Sequence, residues 1–443
     1  MRVRVVLVIA LVLVLVGSVS AGCSSDSDSQ ATTSTSVAAS SLTSVAATSS
    51  STTSTSEATT TTAEPPIVSV LVKSADADSL GGAGDQMMWS VTASGDGVVA
   101  VGQESSPDGT HAAAWFSSDG IMWRRVAEVP SDPGGMSVMW SVAASDDVAV
   151  AVGQIDPGGD SDGAVWVSRD GEAWTLVADP DDVLGGRAKQ VMWSVTVGGP
   201  GFVATGHDTP LNPASEDDDR DAAVWVSADG ETWSRVPHDD TVFGGPGNQV
   251  MISVTAGGPG VVGVSYDSVG GDRDAAVWTS ADGIAWERVP HDEAVFGGEG
   301  DQQMLGVFSF DTGLIAVGYD TTSAGWDAAV WTSPDGLTWT RTPDPDNVFG
   351  GPGDQTMTVV IATKDGLVGI GGDTDDEGEK IAMWTQVGGG WARLDDRDIP
   401  TGTEAEAITW ATALGSSQVA VGFTWTTDGS ADASTWTTGP TNR

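Results

Sequence analysis

Ala222-Ala223-Val224-Trp225-Val226-Ser227-Ala228-Asp229-Gly230-Glu231-Thr232-Trp233-Ser234-Arg235-Val236 is the stretch on which the fold turns. Two short runs rich in Val and Trp flank a Ser-x-Asp-Gly turn. β-branched and aromatic residues fit a pleated, half-buried strand, and Asp-Gly fits a tight reversal. Working outward, the apolar run ending in Trp recurs at Trp115, Trp166, Trp225, Trp278, Trp331, Trp384 and Trp436. A second run, ending near Gly, keeps the same rhythm at Gly102, Gly153, Gly206, Ser265, Gly318, Gly371 and Gly422. Each unit reads as four short strands: one like Met192 to Val195, one like Val-Ala-Val-Gly, the Trp-ending run, and one like Trp233 to Val236. Four strands in roughly 50 residues make a propeller blade, and seven markers make seven blades.

The seventh unit stops soon after Trp436, before a fourth strand. Ile67 to Val72 is expected to supply it, because the residues that follow, Leu80 to Gln86, match Phe243 to Gln249, which follow a fourth strand elsewhere. The fold class is therefore all-β: a seven-bladed β-propeller of four-stranded blades over residues 67–443, its last blade closed by the N-terminal strand. Such closure removes the free edge along which sheets aggregate.

The turn between third and fourth strands repeats as Ser117, Asp119, Gly120 and Trp123; as Ser168, Asp170, Gly171 and Trp174; as Ser227, Asp229, Gly230 and Trp233; as Ser280, Asp282, Gly283 and Trp286; and as Ser333, Asp335, Gly336 and Trp339. This resembles the Asp-box repeat of sialidase-like propellers, one residue shorter between Asp and Gly. The resemblance implies a structural turn remote from any active site. A sialidase of that kind further needs three arginines around a carboxylate-bearing sugar, a tyrosine nucleophile with an acidic partner, and a separate acid. Arg125, Arg235, Arg288, Arg341 and Arg393 all follow the fourth-strand Trp, which puts them on outer strands, and the two tyrosines, Tyr266 and Tyr319, occupy equivalent places in adjacent blades. No catalytic residue is assigned, and a non-catalytic recognition or scaffold propeller is expected. A sialidase-like glycan-active enzyme and a purely structural envelope component are the alternatives.

Ahead of the repeats, Arg2 and Arg4 precede an uncharged run from Val5 to Val16 and then small residues up to the single cysteine, Cys23. That order is a signal peptide over residues 1–22. Ser20-Ala21-Gly22-Cys23 resembles the lipobox of bacterial lipoproteins, with Ser where Leu is usual. The resemblance implies lipidation of Cys23 and tethering to the membrane; plain cleavage after Ala21 is the alternative. Residues 23–66 are almost wholly Ser, Thr and Ala, a composition that buries too little to fold and reads as a disordered linker with a reach of ~35–40 Å. The expected location is extracytoplasmic.

With 62 acidic against 18 basic residues, the formal charge is −44, which excludes nucleic acid as a partner. Strand alternation puts second-to-third-strand loops and blade connections on one face, where most of the acidic residues fall, and the Asp-Gly turns on the other. The candidate binding residues on the first face are Asp217, Asp218, Asp219 and Asp221, Asp267 with Asp272 and Asp274, and the glutamines Gln249, Gln302 and Gln355, which with Gln86 and Gln190 begin first strands and ring the channel mouth. An extracellular protein, a glycan or a cation is the expected partner. Calcium suits such oxygen ligands, although no loop has an EF-hand register and no cofactor is required. His238 and His291 share a repeat position beside Asp239 and Asp292, a place where a metal is conceivable. Blade three carries an insertion, Pro210 to Arg220.

Overall fold

The computed structural model describes residues 71–438 except 74–79, 81–83, 96, 132–134, 157–159, 180, 187–188, 210–218, 270, 324, 376–377, 396–398, 400–405 and 427–428. Two units divide the chain, Met1–Pro66 and Ile67–Arg443. Cys23, the linker, Asp217 and Asp218 lie outside the described residues. Among those described, no helix is long and apolar enough to cross a membrane.

Among the described residues all regular structure is β, in seven four-stranded antiparallel sheets. Six sheets use four consecutive strands, as in blade three, Gln190–Gly198, Gly201–Asp208, Asp221–Ser227 and Trp233–Arg235. The seventh joins Leu71–Lys73 to Ala431–Thr438, with Lys73 opposite Trp436, so one blade is built from both ends of the propeller as the repeat pattern required.

Among the described residues, seven apolar clusters hold the ring together, and each draws on two neighbouring blades. Val99, Val101 and Ala114 of blade one, for instance, pack with Met139, Ala151 and Trp166 of blade two. Blade seven packs with blade one through Val419, Val421, Val91 and Val98, which completes the circle. All seven marker tryptophans are fully buried. Six of them also donate an indole N–H to a carbonyl in the connection leading into their blade, Trp225 to Val183 at 2.9 Å and Trp278 to Val242 at 2.6 Å among them. The polar edge of each ring thus ties its blade to the preceding one.

Every first strand carries a bulge, between Met192 and Ser194 in blade three. The bulge explains the second sequence marker. A Cβ at Gly206 would lie 1.8 Å from the Val191 carbonyl oxygen, and the same close approach recurs at Gly102, Gly153, Gly318, Gly371 and Gly422. Blade four carries Ser265 in that place, and nothing in the structure explains how. The bulge also turns a serine toward the next blade: the Ser141 hydroxyl accepts the Val195 N–H at 3.2 Å, and Ser90, Ser194 and Ser253 do likewise.

On one face lie the Ser-x-Asp-Gly turns. In blade three, Asp229 Oδ1 accepts the N–H groups of Glu231 and Thr232 at 2.9 and 2.7 Å, Ser227 Oγ accepts that of Gly230 at 2.8 Å, and the Trp233 indole donates to the Gly230 carbonyl at 2.8 Å. Gly230 has φ +79°, and a Cβ there would meet Val150 of the neighbouring blade at 2.6 Å, so both conformation and space require glycine. The backbone N–H bonds hold the Asp229 carboxylate below its ordinary range, and blades one, two, four and five repeat the arrangement.

Candidate recognition site on the loop face

The other face begins where Gln190 pairs with Asp208 and Asp208 with Asp221. Here a three-part ladder crosses each of four blades. The Gln190 amide donates to Asp208 Oδ1 at 2.8 Å, Arg235 ion-pairs with Asp208 Oδ2, and the Arg235 guanidinium lies over the Trp225 ring at 5.4 Å. Gln249, Asp267 and Arg288 repeat it over Trp278; Gln302, Asp320 and Arg341 over Trp331; Gln355, Asp373 and Arg393 over Trp384. Gln249, Gln302 and Gln355 are fully buried, so their amide nitrogens face aspartates inside the blade, where the sequence had suggested hydrogen-bonding groups open to a ligand at the channel mouth. Asp267 is likewise engaged within its blade. Asp272 is exposed, Asp219 is partly exposed, and Asp221 and Asp274 stand beside His238 and His291.

One register step away, on the opposite side of each sheet, the symmetry fails. At the start of the third strand, the residue one place before the ladder-side position is Thr110, Ser161, Arg220, Arg273, Trp326, Glu379 or Ala431 in blades one to seven, and the nearby second-strand residue is Gln103, Gln154, His207, Tyr266, Tyr319, Gly372 or Phe423. A single site for an asymmetric ligand stands out in a repeat fold where the repeat is broken, and these columns break it. Blades one to three present Trp89, Trp140 and Trp193 in a row, with ring centroids 5.3 and 5.1 Å apart. Gln103, Gln154 and His207 accept their indole N–H groups.

From blade three to blade five cations alternate with aromatic rings. The Arg273 guanidinium lies 4.9 Å over the Tyr266 ring, and its Nη1 donates to Gln303 Oε1 at 3.3 Å and to the Tyr319 hydroxyl at 3.4 Å. Tyr319 in turn donates to Gln303 Oε1 at 2.9 Å and stacks on Trp326 at 4.8 Å. No carboxylate ion-pairs with Arg273 among the described residues, unlike the ladder arginines, and the buried Gln303 Nε2 has no hydrogen-bond partner. A largely buried guanidinium with spare N–H groups, next to an unpaired amide donor and a half-exposed indole, is suited to an acceptor-rich anionic ligand. Sequence reasoning missed Arg273, Gln303 and Trp326, because the repeats were compared by their strongest markers and these columns are those that vary.

The local electrostatics follow from burial. It pushes the Tyr319 hydroxyl up to about 12 and raises that of Tyr266, so both phenols stay protonated. Burial lowers His207 to about 3, with the Arg220 and Lys189 charges adding to the effect, so its neutral ring accepts from Trp193. Glu379 is pushed up to about 7 by burial alone.

No protein-family model matches the chain, and no curated protein matches it. Solved structures with a similar chain course include the sialidase of Trypanosoma rangeli in complex with sialic acid, at 12% identity and a TM-score of 0.43 over 83% of this chain and 56% of that one. A Dyadobacter fermentans protein of unknown function aligns at 14% identity and a TM-score of 0.43 over 83% of this chain and 96% of its own. The chain therefore spans little more than half the length of the trypanosomal protein. These likenesses concern the fold alone.

Proposed function

We propose that this propeller is a non-catalytic recognition module, carried outside the cytoplasm on a lipid-anchored stalk, that binds a glycan bearing an acidic substituent through its loop face. The observation that carries the reading is the break in symmetry at Arg273, Gln303, Tyr319 and Trp326. Arg273 supplies a charge with no internal carboxylate partner, Gln303 an unused donor, and Trp326 a ring on which a sugar face stacks. The high pKa values of both tyrosines, and the Tyr319 hydroxyl donating to an amide oxygen with no carboxylate to take its proton, support binding over nucleophilic attack. The stalk and anchor rest on the pattern around Cys23 and on the composition of residues 23–66.

Binding of the full chain in mild detergent to a glycan array tests this, with Arg273→Ala and Trp326→Ala beside the unaltered protein. Acidic glycans should be retained over neutral ones, and Arg273→Ala should weaken that binding about tenfold or more, the loss that follows from removing one partner of a buried charge pair. An array with no acidic glycan bound, or one that Arg273→Ala leaves unchanged, refutes the assignment.

A further inference from the structure

The connections leaving blades two to five align residue for residue. At one place in them stand Asp179 in blade two, His238 in blade three, His291 in blade four and Asp344 in blade five. In blades two and five that carboxylate organises the loop: Asp179 accepts the N–H groups of Val183, Leu184 and Gly185, and Asp344 those of Val348 and Phe349. In blades three and four the task passes to the next residue. The Asp239 carbonyl accepts from Val242 and Phe243 and its carboxylate from Thr241, while Asp292 does the same with Val295, Phe296 and Ala294. The two histidines are thereby released from the turn, and both swing to the third-strand aspartate of their own blade.

Related groups meet there in both blades, drawn together more closely in blade four. In blade four His291 Nε2 lies 3.1 Å from Glu293 Oε2 and 3.9 Å from Asp274 Oδ2, and one ligand atom from each of the three residues lies within 4.8 Å of the others. In blade three His238 Nε2 lies 2.8 Å from Asp240 Oδ1 and 3.7 Å from Asp221 Oδ2. Glycines make the room: a Cβ at Gly297 would fall 2.6 Å from Glu293 Oε2, and one at Gly244 would fall 2.9 Å from Asp221 Oδ1 and 3.2 Å from the His238 ring. A tetrahedral zinc ion with Zn–N and Zn–O bonds of about 2.0–2.2 Å holds its ligand atoms about 3.3–3.5 Å apart. The His291 separations straddle that value, so small side-chain rotations bring the three blade-four atoms onto one ion, while in blade three His238 bridges Asp221 and Asp240 at 3.7 and 2.8 Å and the two carboxylates have further to move.

We propose that Asp274, His291 and Glu293 form a zinc-class divalent metal site, and that Asp221, His238 and Asp240 form its twin in the neighbouring blade. One nitrogen and two carboxylate ligands favour a borderline ion over calcium, which takes six to eight oxygens. Solvent completes the fourth position, because His291 and Glu293 are exposed. The sites lie on the side of the sheet that carries the Gln-Asp-Arg ladder, away from Arg273, and do not depend on glycan binding.

Calorimetric titration of the full chain with zinc chloride, at fixed ionic strength, tests the proposal. Saturable uptake should fall by one equivalent in His291→Ala, by one in His238→Ala and by two in the double variant. Calcium and magnesium should produce no saturable heat at the same concentrations. Thermal melting of the metal-free variants, whose altered side chains are exposed, verifies that the fold is kept. Zinc uptake by the double variant equal to that of the unaltered protein overturns the proposal, and so does calcium binding of equal strength, which would mark a diffuse response of the acidic face.

Discussion

Glu379 is the second residue of the third strand of blade six, Gly378–Val387, 4% exposed and with no charge partner contributing to its titration, and burial lifts its carboxyl from 4.5 to about 7. A carboxyl whose folded value is raised binds more protons in the native state, so stability is present below pH 4.5 and is lost as pH rises through about 7. Above pH 7 the ionised form costs on the order of 3 kcal/mol. Glu379→Gln should therefore stabilise the protein against urea at pH 8 by up to that amount and do nothing at pH 4. An equal gain at both values would show that charge is not the cause. His207 shows the opposite case, a group kept neutral by burial, and Gln103 and Gln154 perform its indole-accepting role in blades one and two.

At the scale of elements, the Gln-Asp-Arg ladder invites a direct test because blade two replaces it with a set that carries no charge. Blade two carries Ser137, Ile155 and Leu176 at the ladder positions, an apolar substitute that packs in the same place. Removing one member of a partly buried ion pair strands the other, whereas replacing the whole set by apolar residues is often neutral. Arg288→Ala should accordingly cost about 1–3 kcal/mol by leaving Asp267 unpaired, while the triple change Gln249→Ser, Asp267→Ile, Arg288→Leu should cost less than the single one. Chemical denaturation of both variants decides the matter, and a triple variant weaker than Arg288→Ala would mean that blade two is packed differently from blade four.

For the whole molecule the decisive contact joins the two ends. Lys73 Nζ lies 2.8 Å from Glu406 Oε1 and donates to Thr424 Oγ1 at 2.7 Å, so blade seven runs a variant ladder with the carboxylate on its first strand and the cation on the N-terminal one. Glu406 is 2% exposed. Lys73→Glu should set two carboxylates against each other at the seam and lower stability by about 3–5 kcal/mol. Lys73→Glu with Glu406→Lys should recover part of that loss. Equal denaturation midpoints for the single and the double variant would argue against the pair as a closure device. Once the seam is shut the seventh blade has four strands like the others, and the propeller presents two surfaces of different character, one of ordered Asp-Gly turns and one of acidic loops and connections.

How much of this was legible in advance follows from what each feature depends on. Blade number, strand order, the turn with Gly230 at positive φ and the seam at residues 71–73 are local or periodic, and the spacing of Trp225, Gly206 and Asp229 was enough to read them. Gln249, Gln302 and Gln355 looked like ligand groups because their periodicity was visible; that they are buried against Asp267, Asp320 and Asp373 depends on which side of the sheet each residue faces after the first-strand bulge. Arg273 with Gln303, and His291 with Asp274, lie about 30 and 17 residues apart in the chain and meet only through strand register and blade packing. The sequence by itself determined a repeating four-strand unit and which N-terminal strand completes the last copy, since period-2 patterning, turn residues and the repeat spacing are local properties of the chain. Only the tertiary structure decided which polar residues satisfy one another inside a blade and which are left to face a ligand, because hydrogen-bond and ion-pair partners are chosen by distance in space.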